Sequence, residues 1–203
     1  SFIIQILFQL EQDFLKNYGI EIGPELVLDR SNAMATFVGG MVNYHLPYPY
    51  WVLVRSENFN KEQPFVAELN SLVLPWSSPM VLSEKAPEGV TIAQLFKTTQ
   101  YGVKSNVDPG TPLLPDVTNK AISEGTPGHQ TLGILVTKKN GEAPETQMIV
   151  ISNASFLRNI FLQQFPENEV FMENAVDFFA TGSQLIGIRS KGMLNQPIAI
   201  ISD

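Results

Sequence analysis

Near the C-terminal end of the chain, residues 148–182 switch from a strand-like to a helix-like pattern, and that switch narrows the fold more than any other feature. Met148 to Ile151 is an apolar run of the length of a buried strand. Ser152, Asn153 and Ser155 are residue types that turn a chain or cap a helix, and Phe156 and Leu157 restart it in a helical register. From Val170 onward Phe171, Ala175, Phe178 and Phe179 recur at spacings of three and four, and Gly182 is placed to end the helix. Leu185 to Arg189 then reads as a closing strand. A strand, a polar turn and two helices stacked in this order predict an α/β layer. The expected architecture is an open sheet with flanking helices, in Rossmann-like or glutamine-amidotransferase-like layers, with an additional β-rich segment in the middle of the chain.

The composition agrees with a sheet-bearing, loop-rich domain rather than a bundle. Fourteen prolines and fourteen glycines punctuate 203 residues, and only 16% are charged, against about 25% in an ordinary domain. That length suits a single domain over residues 1–203. The net charge of −7, with 13 scattered basic residues, argues against nucleic acid as a partner, because phosphate binding needs clustered Lys and Arg. There is no cysteine, which excludes disulfides, thiolate metal ligands and cysteine nucleophiles. The apolar opening SFIIQILFQL is interrupted by Gln5 and Gln9 and falls short of the roughly 20 residues that span a bilayer. It reads as a buried helix running through Glu11, Phe14, Leu15 and Tyr18 to Gly19. Its abrupt apolar start is that of a piece cut from a longer polypeptide.

Further along, two short extended pieces flank Gly23-Pro24, and Gly39-Gly40 invites a bend after a weakly alternating run from Asn32. Pro47 and Pro49 exclude helix and leave Trp51 to Val54 as a strand. Pro64 opens one or two helical turns, and Pro75 and Pro79 break the strand-like LVLPWSSPMVL, which suits an edge. Val90 to Thr99 alternates as a strand does. TLGILVTKK and MIVIS are joined by a hairpin signal at Asn140-Gly141. Between them residues 103–130 lose all period and predict a long irregular loop, a linker or a flexible excursion.

Few residues offer chemistry. His45 and His129 stand in loops without metal spacing. No G-x-S-x-G, G-x-G-x-x-G or phosphate-loop motif occurs, so no catalytic residue, metal site or cofactor is assigned. The tract Tyr44 to Trp51 packs three tyrosines and a tryptophan between prolines. Rigid aromatics of this kind pack on a core or form a contact surface. Tyr44, Tyr48, Tyr50, Trp51 and Trp76 are therefore candidate ligand or partner contacts. Ser152, Asn153 and Ser155 join them, since ligands of open α/β sheets collect beyond the carboxyl ends of strands. Helix capping alone accounts for all three, and it takes precedence over a ligand site.

Read together, several segments resemble the extracytoplasmic auxiliary component of gliding-motility-type ABC transport systems. The turn Asn153-Ala154-Ser155-Phe156 stands where the family has Asp-x-x-Phe, Asn174 to Phe179 matches its helix, and Leu185 to Arg189 its closing strand. Upstream, Lys16 to Ala33 and Pro47 to Met80 match in the same order. The family acid is Asn153 here, which weakens any metal or acid–base role for the turn. The early strands of the family domain are expected before Ser1.

The resemblance implies a non-enzymatic, periplasmic domain of an inner-membrane protein, tethered by segments outside this chain. Its partners would be an ABC permease and a separate ATPase. Two other readings stand beside it: a small-ligand lobe for a saccharide, using Tyr48, Tyr50, Trp51 and the 152–155 turn, and an unrecognised hydrolase using His45 or His129.

Overall fold

The computed structural model describes residues 11–107 and 112–181. Residues 11–16 are helical (α1), and the chain leaves that helix through Gly19, whose φ of 74° suits a residue without a Cβ. Two short strands follow, β1 (Ile20–Ile22) and β2 (Leu26–Leu28). A hairpin is formed by β3 (Asn32–Gly39) and β4 (Val42–Arg55), turning at Gly40 with φ 65°. After a 3-10 turn and the short α2 (Pro64–Ala67) come β5 (Ser71–Pro75), β6 (Met80–Leu82), β7 (Val90–Lys97) and β8 (Val103–Ser105). The remaining elements are α3 (Pro115–Glu124), β9 (Thr131–Asn140), β10 (Ala143–Ile151), α4 (Asn159–Gln164) and α5 (Glu167–Thr181).

The strands form a five-stranded sheet, a three-stranded sheet β3-β4-β5 and the pair β2-β8. In the five-stranded sheet β9 is flanked by β7 and β10, and β6 carries β1 against its start. Every pairing among the described strands is antiparallel. The fold is thus mixed α/β built on antiparallel sheets, and the described strands do not show Rossmann-like layering. Periodicity distinguishes strand from helix, but strand direction is set by which pieces meet, and the hairpin connections here select antiparallel ladders.

Two further expectations are corrected. Residues 103–130, read as irregular, contain β8 and the ten-residue α3. The strand takes its stability from pairing with β2, and the helix from packing Ala121 and Ile122 on the cluster around Tyr48 and Val103. Such support comes from distant residues and leaves little local period. The strand expected at Trp51 to Val54 begins instead at Val42 and runs through Pro47 and Pro49. The stretch before Trp51 is not paired with β5, so missing N–H groups there break no rung on that side. The proposed closing strand Leu185 to Arg189 and the stop at Gly182 lie outside the described residues.

Packing explains why both faces of the central sheet are filled. On one side Leu72, Leu74, Leu95, Phe96, Leu132, Phe156 and Phe171 form the main core beneath α2 and α5. On the other, Leu15, Ile20, Met80, Ile134 and Val136 form a second cluster under α1 and β1. β10 alternates between the two, Ile149 and Ile151 to the first and Met148 and Val150 to the second. Phe96 packs its ring on Phe59 and Phe171 and lies directly over Gly133, where any Cβ would collide with it.

Two strand edges end on amide side chains that stand in for a neighbouring strand. Asn168 of α5, fully buried, accepts from Val73 N–H (2.9 Å) and donates to the Val73 and Phe156 carbonyls (2.9 and 3.0 Å). Gln12 of α1 does the same for Ile22, donating to its carbonyl at 2.9 Å and accepting from its N–H at 3.3 Å. Both satisfy backbone groups that would otherwise be orphaned at a buried edge. On β3 the corresponding bond is Gln164 Nε2 to the Met34 carbonyl, 3.3 Å, at the base of the hairpin.

Candidate functional site

The aromatic tract divides between core and surface along one strand. Tyr48 and Tyr50 are buried, and their hydroxyls donate to the Leu113 carbonyl at 2.7 Å and to Ser105 Oγ at 3.5 Å. Burial pushes the Tyr48 hydroxyl above its ordinary pKa; the hydrogen bond from Trp76 acts the other way, and Tyr50 adds to the rise. Neither ring offers a face for stacking.

Trp51 is half-buried at the centre of an edge-to-face group. Its ring lies 5.8 Å from Tyr48, 5.8 Å from Trp76, 5.2 Å from Phe161 and 6.0 Å from Phe165. These are favourable aromatic separations and orientations. The Trp51 indole N–H is buried and finds no hydrogen-bond acceptor among the described residues. Tyr44, by contrast, is exposed on the hairpin, with its ring over Gly39.

Trp76 joins the tract to the turn after β10. It has a φ of 56°, unusual for a bulky residue. It is held there by its own N–H to the Tyr50 carbonyl (2.8 Å) and by its ring contacts with Trp51 and Phe161. The flanking Pro75 carbonyl and Ser77 Oγ both accept from Asn153 Nδ2. Asn153 Oδ1 in turn accepts from the N–H groups of Ser155 and Phe156, each at 2.8 Å. Asn153 is therefore a turn residue that also clamps the Trp76 loop. Ser152, buried, accepts at its carbonyl from Ser78 and donates from its hydroxyl to Leu132.

The structure thus brings Trp51, Trp76, Ser152, Asn153 and Ser155 into one neighbourhood and leaves Tyr44 outside it. A cavity of about 290 Å³ opens beside this joint, lined by Gln12, Leu15, Trp76, Ser152 and Asn153 among others. The histidines spend their Nδ1 atoms elsewhere: His129 donates to the Thr98 carbonyl (2.9 Å), and His45 bonds Thr36 Oγ1 (3.0 Å). Among the described residues no three His, Asp or Glu are grouped to hold a metal ion, and no helix is long and apolar enough to cross a membrane.

Among the described residues, the highest apolar exposures lie at the tip of the β3–β4 hairpin, next to the Tyr44 that the sequence singles out. At the hairpin tip Val38 is 78% exposed, Met41 103% and Val42 53%. Met34, Tyr44 and Leu46 extend that surface towards the base. The signal available in the sequence is one of charge: between Arg30 and Arg55 there is no Asp, Glu, Lys or Arg. The register puts Leu46, Tyr44 and Val42 on one face, opposite Ala35, Phe37 and Gly39; Met34, Thr36 and Val38 share the other with Pro47, His45 and Asn43.

Among the described residues, exposed apolar side chains thus stand on the β3–β4 hairpin and also at Phe14, Ile160, Met172, Val176 and Phe179. The sequence matches the family described as ABC-type uncharacterized transport system across residues 11–180, and the chain belongs to that family. An uncharacterized protein of Borreliella burgdorferi is 30% identical over 89 residues. The match covers 43% of this chain and 17% of that protein. No solved structure matches.

Proposed function

We propose that the chain is a non-enzymatic, extracytoplasmic auxiliary domain of a gliding-motility-type ABC transport system, tethered by membrane segments outside this sequence. It works beside a permease and a separate ATPase, by contact with partner subunits or envelope material through the base of the β3–β4 hairpin and the loops beside it. The observation that carries this reading is the hairpin itself. Tyr44 and Leu46 stand exposed on the strand that also supplies the buried Tyr48 and Tyr50. A rigid aromatic such as Tyr44, beside Leu46 on a well-packed strand, suits a protein contact, because little side-chain freedom is lost on docking.

The test is purification of the full-length protein from membranes in mild detergent, with mass spectrometry of what accompanies it. Recovery of a permease and an ATPase in fixed ratio, lost on Tyr44→Asp, is the expected result. Recovery of the protein alone, with other membrane complexes intact, would overturn the proposal. The cavity beside Trp76 and Asn153 favours a second reading, a lobe for a small polar ligand such as a saccharide. Saturable calorimetric binding of an oligosaccharide, abolished by Asn153→Ala, would establish it; flat titrations across a panel would remove it.

A further inference from the structure

We infer that the tip of the β3–β4 hairpin seats in the interfacial layer of a lipid bilayer with uncharged or zwitterionic headgroups. The inference deepens the proposed function, and rests on it for placing the hairpin at a membrane. The tip carries apolar side chains on both faces: Val38, beside Asn43, on one, Val42 on the other, and Met41 fully exposed at the turn between them. A bilayer surrounds a ribbon and so meets both of its faces at once. Charge points the same way. The chain carries a net charge of −7, yet none of the charged residues falls between Arg30 and Arg55. Burying any of them in the acyl boundary would be costly.

Depth follows from the backbone. The hairpin pairs its inner N–H and C=O groups rung by rung, but the outer edges of a two-stranded ribbon must keep water or headgroup partners. Insertion is therefore limited to the tip. Three rungs at ~3.4 Å each give about 10 Å, which is the depth of an interfacially seated element. That depth carries Val38, Met41 and Val42 into the acyl boundary, and with them Asn43, the cross-strand partner of Val38, whose amide keeps a water or headgroup partner there. It leaves Tyr44, His45 and Thr36 at headgroup level, where a hydroxyl and an imidazole find polar partners. The Thr36–His45 bond, 3.0 Å, and the Tyr44 ring over Gly39 stiffen the ribbon at that level.

Flotation of the full chain with phosphatidylcholine vesicles tests this. We expect the wild-type chain to float with the vesicles, with no gain from added phosphatidylglycerol, since the tip offers no cation. Val42→Asp is expected to weaken partitioning by at least about tenfold. Met41→Ser, at a position fully open to solvent, is expected to weaken it about threefold with unchanged circular dichroism. Failure of the wild type to float, or equal flotation of wild type and both variants, would overturn the inference. A binding strength that rises with phosphatidylglycerol would do so as well. Should vesicle binding fail while Tyr44→Asp still releases the permease, the hairpin is a protein contact only and the proposed function stands. If the vesicles bind but no transport subunit copurifies, the lipid inference survives and the proposed function falls.

Discussion

Strand β9 holds Leu132, Ile134 and Val136 at 0%, 0% and 1% exposure, while the β3–β4 hairpin leaves Val38, Met41 and Val42 in the open. Both segments are apolar and β-branched, and both pair in antiparallel ladders. The difference lies in what each is packed between. β9 has β7 and β10 at its sides and apolar clusters on both faces. The hairpin outruns its sheet, because β5 pairs only Trp51 to Arg55 of β4. An apolar strand is core only where other layers reach it, and a hairpin longer than its support becomes surface.

The comparison can be broken most forcefully at Phe96, which fills the space over Gly133 and touches Phe59 and Phe171. Phe96→Ala is expected to cost about 4 kcal/mol, as buried aromatic truncations do, read as a lowered midpoint in urea unfolding. A loss below 1 kcal/mol would mean the central sheet is no better packed than the hairpin.

Next in size is Asn168→Leu. It leaves the Val73 N–H and the Val73 and Phe156 carbonyls buried without their partner, and a cost of about 3 kcal/mol is expected. Hydrogen exchange should show the Val73 amide losing protection before its neighbours. Retained protection would show that water reaches this edge.

Tyr48→Phe is a smaller perturbation, about 1 kcal/mol for the lost bond to Leu113. Its pH dependence carries more information. The folded state holds the Tyr48 hydroxyl above its ordinary pKa, chiefly by burial. At high pH the unfolded chain therefore releases that proton first, so stability is full below the unfolded value and declines as pH rises through the folded one. Urea unfolding at about pH 9 and about pH 11 should show the decline, and Tyr48→Phe should lessen it. An unchanged slope in the variant would exclude Tyr48 as its source.

The smallest expected effect sharpens the contrast. Val42→Asp at the hairpin tip should alter unfolding stability by less than about 0.5 kcal/mol, as open surface positions do. A loss of 2 kcal/mol or more would mean the tip is packed in the free protein.

Some of this was legible from residue order. The turns at Gly19, Gly23-Pro24, Gly39-Gly40 and Asn140-Gly141, the strands around Val73, Val90, Leu135 and Ile149, and the helix carrying Phe171 and Ala175 all follow from local pattern. Turn chemistry and apolar period act within a few residues, so they can be read locally. The role of Asn168 was not legible, because an asparagine in a helix gives no sign that it will meet a strand 95 positions away. β8 and α3 were hidden for a related reason, since β2 and the Tyr48 cluster that support them lie far off in sequence.

The candidate site divides in the same way. Its residue types could be named from the aromatic tract and the Ser-Asn-Ala-Ser turn, but their exposure could not. Tyr44 and Tyr48 are spaced as two positions on the same face of one strand, yet one is exposed and the other buried. What the sequence by itself determined is the positions of the turns, the alternation of the strands and the absence of charge between Arg30 and Arg55, because each is a property of neighbouring residues. Only the tertiary structure decided which strands meet, which edges are capped by Gln12 and Asn168, and where the hairpin leaves its support. Those depend on free energies of burial and hydrogen bonding between residues remote in the chain, and such terms exist only once the layers have come together.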